Sequence, residues 1–106
     1  MLYLVFNFLS ESGMSNISVF NGDVLFLDYI IVSNGTSTKH IKSTSFKLLK
    51  YFKSKSKISL SISGIDSDWV VIDVGSMLIH LMLLKSRNFY DLDSLYLETT
   101  AKINIF

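Results

Sequence analysis

Trp69-Val70-Val71-Ile72-Asp73-Val74-Gly75-Ser76-Met77-Leu78-Ile79-His80-Leu81-Met82-Leu83 reads as two apolar strands hinged on two residues. Valine, isoleucine and leucine fill both arms, and such side chains suit a pleated, half-buried surface. At the hinge Gly75 comes first and Ser76 second. A two-residue loop led by glycine fits a type II′ turn, whose first position needs a positive φ that glycine adopts without strain. The stretch therefore predicts antiparallel strands over Trp69–Val74 and Met77–Leu83.

Upstream, Ile58, Leu60 and Ile62 alternate with polar residues to Ser63, the pattern of a half-buried strand. Asp28 to Ser33 is β-branched and almost continuously apolar, as a strand covered on both faces is. Asn34-Gly35 breaks it, and Thr36 or Ser37 is placed to cap a helix from about Ser37 to Lys53. In that helix Ile41, Leu48, Leu49 and Phe52 share one face. Asn16 to Phe20 is a short strand closed by Asn21-Gly22-Asp23, and the apolar run Leu2 to Leu9 is a first helix or strand packing on the core. Downstream, Ser86 to Tyr96 is a closing helix or turn with Phe89, Leu92, Leu95 and Tyr96 inward, while Leu97 to Phe106 takes no assignment. Together these predict one domain over residues 1–106, of α/β (α+β) class: a mixed sheet of about five strands with flanking helices.

The composition is 49% hydrophobic, enough to fill one modest core, which argues against disorder. Without cysteine there is no disulfide framework and no thiolate metal site, which suits a reducing cytoplasm. The opening apolar run lacks a basic leader and is too short to span a bilayer, so no membrane partner is expected. Formal net charge is only +1, but its distribution is uneven. Lys39, Lys42, Lys47, Lys50, Lys53, Lys55 and Lys57 fall in a segment without acids. From Ile58 to Glu98, Asp66, Asp68, Asp73, Asp91, Asp93 and Glu98 face only Lys85 and Arg87, so a basic and an acidic side are expected.

Catalytic chemistry finds little support. His40 and His80 lie far apart without spaced ligand partners, so no metal or other cofactor is implied. His40 is expected to be solvated, and His80, sharing a strand face with Leu78 and Met82, to be partly buried and satisfied. No serine sits in a nucleophile elbow. Asn34-Gly35-Thr36-Ser37 could cradle an anion on helix amides, although a plain cap is the simpler reading. The lysine-rich helix, Lys39 to Lys57 with its flank, suits solubility. It could also contact rRNA phosphates, but no aromatic interleaves on its polar face, Tyr51 being the nearest.

Ser63 to Met82 and Ser86-Arg87-Asn88-Phe89-Tyr90-Asp91-Leu92-Asp93-Ser94-Leu95-Tyr96 resemble the C-terminal half of the ribosomal silencing factors, the RsfS/Iojap family. That family carries a glycine, an acidic patch, Trp-x-x-x-Asp, a Gly-Asp turn and a strand ending near histidine, then Arg-x-x-Tyr/Phe-x-Leu-Glu-x-Leu-Trp. Asp28-Tyr29 and Gly35-Thr36-Ser37 are similar to its upstream signature, so the resemblance covers about Asn16 to Tyr96. It implies a nucleotidyltransferase-like fold lacking the catalytic carboxylates. It also implies no enzymatic activity, but binding to the large ribosomal subunit through ribosomal protein uL14, which blocks subunit joining and represses translation. Bacterial members are cytoplasmic, organellar relatives exist, and several form homodimers; the missing Arg-rich leader favours a bacterial source. Carried over by position, Trp69 and Asp73, with the acidic loop of Asp66 and Asp68, would face the partner, and Gly75, Ser76, His80, Tyr90 and Leu92 match further motif positions. Ser76 replaces the turn acid, Tyr96 replaces the closing tryptophan, and the N-terminal helix is reduced to an apolar run. A degenerate nucleotidyltransferase-like enzyme built on Gly35-Thr36-Ser37 and a basic RNA-binding module are the alternatives.

Overall fold

The computed structural model describes residues 2–55, 60–99 and 102–103. At the central hinge Gly75 takes φ +88°, and the Val74 amide donates to the Met77 carbonyl at 3.1 Å. The two-residue loop closes β4 (Trp69–Asp73) on β5 (Met77–Leu83), Trp69 opposite Met82 and Asp73 opposite Leu78. The other edge of β5 pairs in parallel with β2 (Tyr29–Gly35). Beyond β2 lies antiparallel β1 (Ser15–Asn21), and beyond β4 lies β3 (Ser61–Ser63). Of the strand expected over Ile58–Ser63, residues 58 and 59 lie outside the described residues, and β3 takes up Ser61–Ser63.

The tail, unassigned from sequence, supplies β6 (Lys102–Ile103) against β1. The sheet order is β3-β4-β5-β2-β1-β6. It is the mixed sheet with flanking helices expected of this sequence, with β6 as the additional strand.

Both sheet faces carry helices, which explains the continuous apolarity of β2. On one face lie α1 (Leu2–Glu11) and α2 (Thr38–Lys55). Leu2, Val5 and Leu9 of α1 and Ile41, Leu48 and Phe52 of α2 pack on Val19, Ile31, Val70, Ile72, Met77, Ile79 and Leu81. Of the helix or strand expected for the apolar opening run, the chain forms a helix. Ser37 caps α2, its Oγ accepting the His40 amide at 3.0 Å.

His40 is half-buried and bonded rather than freely solvated. Its Nδ1 accepts from the Thr36 amide at 3.0 Å, which leaves Nε2 to donate to the Ser12 carbonyl at 2.6 Å. It ties the end of α1 to the start of α2, a tertiary contact that no local pattern announces.

On the other face lie α3 (Leu84–Tyr90) and α4 (Leu92–Thr99). One closing element was expected; two form because Asp91 adopts φ +50° and its amide turns back to the Arg87 carbonyl. The break resets the helical phase. Leu92 and Tyr96 still point inward, against Phe20, Ile30, Val32 and Met82. Phe89 and Leu95, also expected inside, are exposed, Phe89 by 79%.

Arg87 locks this corner. Only 7% exposed, it forms a two-pronged pair with Asp93 (2.9 and 2.8 Å) and donates to Asn34 Oδ1, Ser18 Oγ and the Asn16 carbonyl. Asn16 stands at the β1 bulge with φ +49°, so one guanidinium joins α3, α4, β1 and β2.

Candidate partner-binding site on the hairpin

Strand alternation puts Trp69, Val71 and Asp73 of β4 on the α3–α4 face, beside Met82, His80 and Leu78 of β5. On this same face α4 packs over β1, toward the opposite edge of the sheet from β4. The β4–β5 half of this face is consequently covered only in part. Trp69, Val71 and Leu78 are half-buried, whereas Val70 and Ile72, on the α2 side, are fully buried.

Trp69 is held from beneath. Its indole N–H donates to His80 Nδ1 at 3.0 Å. An indole nitrogen can only donate, so Nδ1 is the acceptor and the neutral ring carries its proton on Nε2, which donates to Tyr96 Oη at 3.0 Å. Burial lowers the His80 pKa from 6.5 to about 4 and raises that of the Tyr96 phenol. The indole and imidazole protons of this relay thus each have one position at neutral pH. Tyr96 completes the relay through its hydroxyl.

Above Trp69 the surface is aromatic. Tyr90 lies over it at 4.9 Å between ring centroids, and Phe89 meets Tyr90 edge-on at 5.0 Å. Tyr90 and Phe89 are both exposed. Beside them Ser67, Asp68, Trp69, Ser86 and Tyr90 line a hollow of about 450 Å³.

The residues singled out from sequence therefore divide. Trp69, Asp68 and Tyr90 share this surface, with His80 and Leu92 buried below it. Asp73, Gly75 and Ser76 stand at the far end of the hairpin, where Asp73 Oδ1 accepts the Gly75 amide at 2.8 Å and the Ser76 carbonyl accepts the Asp28 amide at 2.7 Å. Asp66 turns the other way and pairs with Lys42 Nζ at 2.7 Å.

The acidic loop and the basic helix thus meet instead of facing apart, because Ile65 packs into the core under α2. Phe89 was missed as a surface residue, since a continuous helical period places it inside.

A nucleotide-handling arrangement gains nothing from the geometry. At the Gly35-Thr36-Ser37 turn the Thr36 amide serves His40, and the Ser37 hydroxyl caps α2. Among the described residues no group of three or more histidine or acidic side chains is placed to hold a metal ion, and no helix is long and apolar enough to cross a membrane.

Comparison with known proteins agrees with the sequence resemblance. The family profile described as "Ribosomal silencing factor during starvation" matches residues 3–105. The mouse protein named "Mitochondrial assembly of ribosomal large subunit protein 1" is 37% identical over 78 residues, 70% of this chain and 34% of that protein. "Ribosomal silencing factor RsfS" of Zymomonas mobilis is 30% identical over 70 residues, 65% of this chain and 53% of that protein. The chain thus spans between a third and about half of these relatives. A crystal structure from Bacillus halodurans superposes with a TM-score of 0.81 at 22% identity, covering 98% of this chain and 96% of that one. One from Chromobacterium violaceum gives 0.81 at 23%, covering 90% and 82%, so both show the same fold.

Proposed function

We propose that this chain, which belongs to the RsfS family of ribosomal silencing factors, binds the large ribosomal subunit through ribosomal protein uL14 and sterically blocks subunit joining. The mode is non-catalytic and needs no cofactor. The observation that carries the reading is the aromatic cluster Trp69, Tyr90 and Phe89 on the half-covered face of β4–β5. Large, rigid aromatic groups of this kind supply most of the energy of protein interfaces, within a footprint of about 800 Å² per partner. His80 and Leu92 serve as supports beneath. Asp68 beside the cluster and Asp73 at the far end supply negative charge toward a basic ribosomal protein, which sets register and association rate. The site of action is wherever the cognate ribosome is, the cytoplasm of a bacterium or an organelle.

Co-sedimentation with purified large subunits, and pull-down with isolated uL14, test this. Trp69→Ala combined with Asp73→Lys is expected to abolish both. Tyr90→Ala or Phe89→Ala alone is expected to weaken binding by about thirtyfold, matching about 2 kcal/mol for a central aromatic anchor. Urea melts verify that each variant is folded. Undiminished co-sedimentation of the folded double variant would sink the assignment.

A further inference from the structure

The outer stripe of α2 combines charge and an exposed aromatic in a way the lysine count alone does not reveal. Phe46 is 52% exposed, although the helix has a well-formed apolar face against the sheet. At about 100° per residue, Lys39, Lys42, Lys50 and Lys53 all lie within roughly 40° of Phe46. Lys42 and Lys50 flank it at four residues, about 6 Å along the axis, and Lys39 and Lys53 at seven, about 10 Å. The stripe lies roughly 120–160° around the helix from Ile41, Leu48 and Phe52 and so faces outward. α2 contains no acid; Asp66 reaches the stripe at its N-terminal end and pairs with Lys42, leaving Lys39, Lys50 and Lys53 exposed. From sequence no aromatic was expected on this polar face, Tyr51 being the nearest; Tyr51 is half-buried and packs near Phe8, and Phe46 is the aromatic that was missed.

We infer that this outer face of α2 is a binding surface for single-stranded nucleic acid, with Phe46 stacking on an unpaired base and the lysines on either side engaging phosphates. A cationic track with an aromatic platform at its centre matches the two sequence-independent contributions to such binding, phosphate neutralisation and base stacking. An anionic bilayer fits less well. A helix lying in a membrane interface needs a broad apolar face, and here that face is buried against the sheet, leaving Phe46 as the one exposed large apolar side chain among the described residues of α2. The surface lies on the opposite side of the sheet from Trp69, so it operates independently of the protein contact proposed above. A factor built this way grips a ribonucleoprotein with two faces, one for protein and one for exposed nucleic acid.

Fluorescence anisotropy of the full chain with a short labelled oligouridine tests this. With three phosphate contacts, the slope of log affinity against log salt is expected near −2, a loss of about twentyfold between 50 and 200 mM. Phe46→Ala is expected to weaken oligouridine binding about tenfold and to leave inorganic polyphosphate binding unchanged. Lys39→Gln, Lys50→Gln and Lys53→Gln should each flatten the salt slope by about 0.7. Equal affinity for oligothymidine supports the mechanism, since no contact to a 2′-hydroxyl is invoked. Trp69→Ala should leave all of these values intact. Binding that ignores salt or is indifferent to Phe46→Ala would overturn the inference, as would stronger binding to phosphatidylserine vesicles than to oligouridine. So would loss of binding in a folded Trp69→Ala variant.

Discussion

Acid should loosen this protein through His80 before it reaches most of the carboxylates. The ring is 4% exposed, with Nδ1 committed as acceptor to the Trp69 indole and Nε2 as donor to Tyr96. Protonation would place a second hydrogen against the indole N–H and a charge in an apolar layer. The pKa in the fold is accordingly about 4, against 6.5 in a free chain. Above pH 6.5 the ring is neutral both folded and unfolded, so its titration costs nothing. As pH falls below 6.5 the unfolded chain takes up the proton first, and stability declines until about pH 4, where the folded ring also protonates. At about 1.4 kcal/mol per pKa unit the loss is about 3 kcal/mol, a large share of the 5–15 kcal/mol typical of a small domain.

Equilibrium urea melts followed by the fluorescence of Trp69, the chain's single tryptophan, would measure it. His80→Gln removes the titration while offering an oxygen to the indole and an N–H to Tyr96. The other titrating groups are common to both proteins, so the wild-type and variant stability curves should converge by about 3 kcal/mol between pH 7 and pH 4. Parallel curves over that interval would refute the assignment of the relay.

Two further outcomes follow from local geometry. Gly64 and Gly75 both have positive φ, yet a β-carbon at Gly64 would lie 2.2 Å from the Trp69 carbonyl oxygen, whereas one at Gly75 would meet nothing within 4 Å. Gly75→Ala should therefore cost only about 1 kcal/mol of backbone strain, and Gly64→Ala distinctly more, with a change in Trp69 emission; equal losses in chemical denaturation would contradict this. Arg87→Met leaves Asp93 without its buried cation and Asn34 and Ser18 without their guanidinium donors, so a loss of about 3–5 kcal/mol is expected in thermal or urea unfolding. A loss below 1 kcal/mol would show that the corner repacks.

The elements read correctly from sequence are those whose signal is local. The β4–β5 hinge announces itself through Gly75, β2 through unbroken apolarity, and α2 through its spacing and the Ser37 cap. What escaped depends on contacts between distant segments. Asp91 breaks the last helix while its backbone bends back toward Arg87, whose side chain answers to Asn16, Ser18 and Asn34 some fifty or more residues earlier. The same break turns Phe89 outward and so creates the aromatic rim of the candidate site. His40 was read as solvated because its partner Ser12 belongs to another helix. Trp69 was legible as a residue of the hairpin's first strand, but its bond to His80 required the cross-strand register.

The parallel pairing of β2 with β5 also governs how the chain assembles. Every contact along that seam joins segments separated by roughly fifty residues, a loop whose closure must precede the gain from pairing. The two antiparallel hairpins that flank it close over short spans and are free to form first. On the ribosome, at about 5–20 residues per second, several seconds separate the emergence of β2 from that of β5. During that interval Ile30, Ile31 and Val32 present an open strand edge of the kind that chaperones and other nascent chains capture. The α2 segment emerges within that interval, and its run of lysines next to the open edge supplies the repulsive charge that keeps such an edge from pairing with another chain.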